Sequence, residues 1–155
     1  DQTRQSLNAG KTVYEEVAEG SEVIAYGDKE LSIRHYLARF LFTGPIQQAL
    51  VGRLSGGERN RVQLAKSLRS PSNFIILDEP TAALDPQAEN ALVRSMQEAA
   101  RGRLVIVIAH RLSTIRQADR IVFLQDGQVL DEGNHATLMQ NQQGPYRRFV
   151  DLQGG

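Results

Sequence analysis

The chain contains no cysteine. That excludes a disulfide framework and a thiolate metal site, and it fits a reducing compartment. There is no surplus of charge either: Lys and Arg total 18, and Asp and Glu total 18. A generic nucleic-acid binder normally carries a basic excess, so direct DNA binding is not expected. No apolar run approaches the roughly 20 residues that a helix needs to cross a bilayer. Asp1-Gln2-Thr3-Arg4 lacks the basic-then-apolar pattern of a signal peptide. The first residue is not Met, which reads as a processed chain or as a piece of a longer one. Internal repeats and low-complexity segments are absent too. What remains is a chain of 155 residues, long enough for one domain with a real core.

Its elements fall into two stretches, 1–70 and 71–155. The first is mainly helical. Thr12 with Glu15 three residues on forms a capping box for a short helix over 12–18. Gly20, Gly27 and Asp28 punctuate a loop. Ile33, Tyr36, Leu37, Phe40 and Leu41 recur at helical spacing over 32–42, and Gly44-Pro45 stops that helix. A short helical piece follows at 46–51. Gly57 opens a stronger helix with Val62, Leu64, Ala65 and Leu68 on its apolar side, ending at Ser70-Pro71-Ser72.

The second stretch is of α/β character. Phe74-Ile75-Ile76-Leu77 and the apolar run 104–109 are unbroken, as in strands of a parallel sheet buried on both faces. An amphipathic helix, about Pro86 to Ala100, lies between them, with Asp85 suited to its N-cap and Pro86 to its first turn. That strand–helix–strand unit predicts an α/β layer. A short helix at 112–118 precedes two strands, 120–124 and 128–130, joined by Asp126-Gly127, a strong hairpin signal. Residues 135–142 and 144–152 close the chain as helices.

Three groups of residues carry chemistry. The strand ending in Asp78-Glu79 delivers two carboxylates to the carboxyl edge of a sheet, where ligands of open α/β sheets bind. A carboxylate there can hold a hard cation, and its neighbour can position or deprotonate a water. Taken alone, Asp-Glu-Pro more often just ends a strand. Leu54-Ser55-Gly56-Gly57-Glu58 is a glycine-rich turn opening a helix. Gly56 and Gly57 let a ligand approach the backbone, the helix directs free N–H groups and its positive dipole end outward, and Ser55 adds a hydroxyl. Ser55 with Glu58 is also a capping box, and the two roles are compatible. His110 directly follows the second apolar strand, which puts it at the same sheet edge as Glu79. His35 and His135 lack such a setting.

Taken in order, these residues resemble the signature motif, the Walker B motif and the histidine of ATP-binding cassette (ABC) ATPases. The resemblance covers nearly the whole chain, with two flavours. Asp1-Gln2-Thr3-Arg4, Lys11 to Glu16, Tyr36 to Phe40 and Leu54 to Arg61 resemble the soluble, ribosome-acting ABC-F branch, which Glu58 also suits, since transporters usually have Gln there. Thr81-Ala82-Ala83-Leu84-Asp85, Ala109 to Ile115 and Ala118 to Ile121 resemble the nucleotide-binding domains of ABC exporters. Asp126-Gly127, Glu132-Gly133, His135 and Tyr146 to Phe149 continue that likeness. The chain thus reads as a mosaic joined near 70–81.

The resemblance implies a P-loop NTPase-type parallel sheet with an α-helical subdomain, and ATP and Mg²⁺ as ligands. It implies Asp78 and Gln2 at the metal, Gln2 being the Q-loop glutamine, and Glu79 and His110 as catalytic residues. Ser55, Gly56, Gly57, Glu58, Gln2 and Asp85, the last in the D-loop, are implied at the nucleotide. Two cassettes of this family dimerise head to tail, each ATP lying between one P-loop and the other's signature. A second cassette is therefore the implied partner, with a transmembrane domain or the ribosome beyond it, and the implied location is the cytoplasm or the inner face of a membrane.

One expected piece is missing. A P-loop runs Gly-x-x-x-x-Gly-Lys-Ser/Thr after a strand. Gly10-Lys11-Thr12 ends like one, but position 5 is Gln and no apolar strand precedes it. In the family the P-loop lies upstream of the Q-loop, so it would precede Asp1. Without it the sheet is incomplete, the β- and γ-phosphates lose their main cradle, and the strand at 104–109 becomes an open edge. The expectation is a partial cassette whose signature works in trans and which does not hydrolyse ATP alone. A catalytically idle fragment or interaction module is the reading outside that class.

Overall fold

A computed structural model describes residues 7–26, 29–70, 72–81 and 84–153. They form two compact units, one reaching to Ile108 and one beginning at Ala109.

In the first unit, helix α1 (Val13–Ala18) starts at Thr12 with both arms of its capping box made. Strands β1 (Val23–Tyr26) and β2 (Lys29–Ser32) follow as an antiparallel pair with Val23 opposite Ser32. The expected loop is thus a ribbon in part, because Val-Ile-Ala-Tyr is a β-favouring run whose Ile24 and Tyr26 turn inward. Gly27 and Asp28 lie outside the described residues. Helix α2 (Ile33–Arg39) is capped by Ser32, whose hydroxyl accepts from the His35 N–H. Two 3₁₀ turns, Gly44–Gln48 and Val51–Arg53, replace the single helical piece expected at 46–51. The buried Gln47 side chain holds the first, its amide donating to the carbonyls of Phe42 and Arg34. Helix α3 (Gly56–Arg69) then buries Val62, Leu64, Ala65 and Leu68.

The α/β part is β3 (Phe74–Asp78), α4 (Pro86–Ala99) and β4 (Leu104–Ile108). The two strands pair in parallel, Phe74 opposite Leu104 and Asp78 opposite Ile108. One core joins Val13, Ile33, Tyr36, Phe40, Val62 and Leu92 with the inward residues Ile75 and Leu77. Burial of both sheet faces is not what the structure shows. Exposure alternates along the strands: Ile75 and Leu77 are 7% and 8% exposed, while Ile76 and Leu104 are 57% and 61% exposed. The reason is layer count. Among the described residues β3 and β4 pair only with each other, and α3 and α4 supply the same core that the inner face meets.

The second unit begins with α5 (Leu112–Ile115), shorter than the 112–118 expected, and continues with β5 (Ile121–Gln125) and β6 (Gln128–Gly133). These strands pair antiparallel around Asp126 and Gly127, at φ +51° and +76°, the left-handed conformations a tight hairpin turn requires. Helices α6 (His135–Gln140) and α7 (Pro145–Gln153) close a small core of Ile121, Leu138, Tyr146 and Val150.

Candidate functional site: a glycine turn and a carboxylate strand end

The glycine turn is built by its own side chains. Ser55 is extended, so α3 begins at Gly56. The Ser55 N–H donates to Glu58 Oε2 at 2.7 Å, and the Glu58 N–H donates to Ser55 Oγ at 3.3 Å. Arg59 donates back to the Leu54 carbonyl. Leu54 is buried beneath the turn, while Ser55 and Gly56 are exposed. Beyond its chain neighbours and the backbone of its own helix, nothing among the described residues lies within 4 Å of a Cβ built on Gly56, so the space beside it is open. The Ser55 N–H and hydroxyl hold the Glu58 carboxyl below the ordinary carboxylate range. One anion, the Glu58 carboxylate, therefore already sits at this helix start.

The carboxylates lie at the other end of the chemistry. Asp78 closes β3, and the Glu79 N–H extends the ladder by donating to the Ile108 carbonyl at 2.9 Å. Glu79 has φ +47°, left-handed for a non-glycine residue and next to a proline. The chain turns sharply there, just past the end of β3. Thr81 and Glu89 are both buried, and the Thr81 hydroxyl donates to Glu89 Oε1 at 3.4 Å. This contact ties the segment after the carboxylates to the first turn of α4. Sequence reasoning missed it; the only signal was an acid among the apolar positions of that helix. Asp85 Oδ1 accepts from the Ala88 N–H at 3.0 Å and so caps α4.

The structure thus places Ser55, Gly56, Gly57 and Glu58 together at the head of α3, and Asp78 and Glu79 together at the end of β3. Asp85 heads α4, and His110 is an exposed residue of the second unit. Gln2 lies outside the described residues, as do Ala82 and Ala83. No group of three or more metal-binding side chains occurs among the described residues. Mg²⁺ is compatible with that donor set, because it is ordinarily held by one or two carboxylates plus phosphates and water, and Asp78 is an exposed carboxylate at a strand end.

A family profile described as ABC transporter matches residues 1–82. Among curated proteins, the chain is 47% identical over 100 residues to "ABC multidrug transporter MDR1" of Cryptococcus neoformans var. grubii, a match covering 64% of this chain and 7% of that protein. It is 44% identical over 100 residues to "Exotoxin translocation ATP-binding protein PaxB" of Pasteurella aerogenes and to "Leukotoxin translocation ATP-binding protein LktB" of Mannheimia haemolytica, each match covering 64% of this chain and 14% of the relative. Among solved structures, one titled "Structure of a bacterial Atm1-family ABC exporter with ATP bound" aligns with a TM-score of 0.76 and 26% identity, over 98% of this chain and 28% of that one. The chain therefore spans a small fraction of the proteins it resembles. Among the described residues no helix is long and apolar enough to cross a membrane.

Proposed function

The chain belongs to the ABC transporter family, and from that membership we propose that it is the signature- and carboxylate-bearing portion of an exporter-type ATPase cassette, acting with a second cassette and a transmembrane domain at the inner face of a membrane. The observation that carries this reading is the pairing of two features in one unit: an open glycine turn capped by Ser55 and Glu58, and a parallel strand running into Asp78-Glu79.

Each residue has a part in that chemistry. The Ser55 hydroxyl and the free N–H groups at the head of α3 face the γ-phosphate of an ATP held by the P-loop of the second cassette. Asp78 would hold Mg²⁺, which when bound supplies neutralisation of phosphate charge. Glu79 serves a different nucleotide, one supplied beside its own strand end: there it would orient a water and take its proton as the water oxygen bonds to the γ-phosphorus and the bond to the ADP oxygen breaks. For His110, Asp85 and Gln2 the roles proposed are those the family resemblance implies: His110 as a catalytic residue, Asp85 at the nucleotide, and Gln2 at the nucleotide and metal. The relatives named above are transporters and translocation proteins, and they give no support to the ribosomal role.

The test is turnover of Mg·ATP by the chain alone, by its Glu79→Gln variant, and by each mixed with a complete exporter cassette. The isolated chain is expected to be inactive. Robust, Glu79-dependent hydrolysis by the chain alone would overturn the division of labour between cassettes.

A further inference from the structure

The residues just before the glycine turn are bonded to a distant stretch. The Val13 N–H, an orphan donor in the first turn of α1, donates to the Ala49 carbonyl at 3.0 Å. The Val51 N–H donates to the Lys11 carbonyl at 2.9 Å, and the Gly52 N–H to the Ala9 carbonyl at 3.1 Å. Thr12 and Leu50 form an antiparallel bridge between these bonds. Residues 9–13 thus act as a rail along which 49–52 is laid. Val51 and Leu54 are buried on either side of Gly52, and Ser55 begins α3 immediately after.

The closest approach is at Gly52. A Cβ built there would stand 3.0 Å from the Ala9 carbonyl oxygen and 3.1 Å from Ala9 Cβ. Gly52 does not have positive φ, so its requirement is space and not conformation. Any side chain at 52 must lengthen the Gly52–Ala9 hydrogen bond or push the rail away. Only Arg53 and Leu54 separate this point from the cap, and the Arg53 and Leu54 N–H groups are already bonded within the 3₁₀ turn, to Leu50 and Val51. A shift at 52 therefore passes to Ser55 with little slack to absorb it.

We propose that Gly52 is a positioning residue for Ser55: its missing side chain lets the Val51–Arg53 turn lie against Ala9–Lys11, and that contact sets where the glycine turn begins. The functional side of this inference rests on the reading above, in which Ser55 contacts a nucleotide held by a second cassette.

Amide hydrogen exchange on the whole chain tests it. Gly52→Ala is expected to speed exchange at Ser55 and Glu58 about tenfold while Val62 to Leu68 keep their protection, since opening confined to the cap leaves the helix interior closed. Adding Ala9→Gly removes one of the two clashing atoms and is expected to restore part of the loss. Asn8→Ala deletes the acceptor of the Gly10 N–H, a 2.9 Å bond that shapes the rail, and is expected to move Ser55 in the same direction without altering residue 52. Unchanged exchange at Ser55 in both variants, or acceleration spread evenly along α3, overturns the proposal. A second arm measures ATP-dependent association with a complete exporter cassette. If the unaltered chain fails to associate, the proposed function falls and the exchange data still decide the junction. If it associates and Gly52→Ala associates equally well despite a loosened Ser55, the positioning role is refuted.

Discussion

Ser55 is both a helix cap and the hydroxyl aimed at a phosphate, and the two roles can be separated by substitution. Ser55→Ala removes the acceptor of the Glu58 N–H and is expected to cost about 1 kcal/mol of stability, read from the urea midpoint. Ser55→Asn keeps a capping oxygen, so it is expected to restore stability without restoring nucleotide-dependent association. Glu58 adds a pH dependence. Its carboxyl is held below the ordinary value of 4.5, chiefly by the Ser55 N–H and next by the Ser55 hydroxyl. Its folded value is lowered, so its contribution is present above the unfolded value and is lost as pH falls through the folded one. Below about pH 4.5 the chain is expected to lose stability more steeply than Glu58→Gln, measured by chemical unfolding at a series of acid pH values. Parallel profiles would show that the cap does not depend on the charge. The residues of this turn were legible in sequence because a capping box and adjacent glycines are local rules. The Thr81–Glu89 contact was not, because it joins a loop to a helix through burial, which no spacing rule encodes.

Between elements, the firmest polar link is that of α1 to α3. Lys66 Nζ lies 2.6 Å from Glu16 Oε1, with the two side chains 13% and 3% exposed. Glu19 also reaches Lys66 and pairs with Arg69, which donates to Ser21 Oγ as well. Removing one member of a buried pair strands the other charge, so Lys66→Ala is expected to cost about 3 kcal/mol. Glu16→Gln combined with Lys66→Met leaves no stranded charge and is expected to recover much of that loss. The exposed pair of Arg147 with Asp151 is the internal control: its side chains are 34% and 56% exposed, and Asp151→Ala is expected to cost under about 0.5 kcal/mol. Equal losses at the two sites would mean that burial is not what gives the α1–α3 link its weight. Element by element, sequence reading did well where a rule is local: the Thr12 box, the Asp126-Gly127 hairpin, the parallel pairing across α4. It missed β1 and β2, because a four-residue run such as Val23 to Tyr26 is too short for periodicity to reveal, and its partner Lys29 to Ser32 is polar.

At the scale of the molecule, the β3–β4 sheet is where a prediction about association arises. Its strands were expected to be buried on both faces, since runs such as Phe74 to Leu77 are apolar at every position. Sequence reports what a residue is suited to meet, and not whether the meeting layer is present. Here only Ile75 and Leu77 of β3 find the core, and Phe74, Ile76, Leu104, Ile106 and Ile108 share the uncovered face. Register sets Phe74 beside Leu104 and Ile76 beside Ile106, so these side chains form one contiguous apolar surface. A surface of that kind, next to a strand edge without a partner among the described residues, favours association. The chain is therefore expected to self-associate at micromolar concentration and to bind a hydrophobic dye. Ile76→Lys with Ile106→Glu puts opposite charges at paired positions on that face. Because both isoleucines are largely exposed, the change is expected to shift stability by less than about 0.5 kcal/mol while abolishing most of the association seen by light scattering. Persistence of the same association would place its source elsewhere. Extending the chain with the strand, P-loop and following helix of an exporter cassette offers the complementary test: the strand can pair beside β4 and the helix can cover the face, so the extended chain should lose dye binding without any charge being added. Loss of association in the charge variant but not in the extended chain would mean that the exposed face is real and that its natural cover is something other than the P-loop helix.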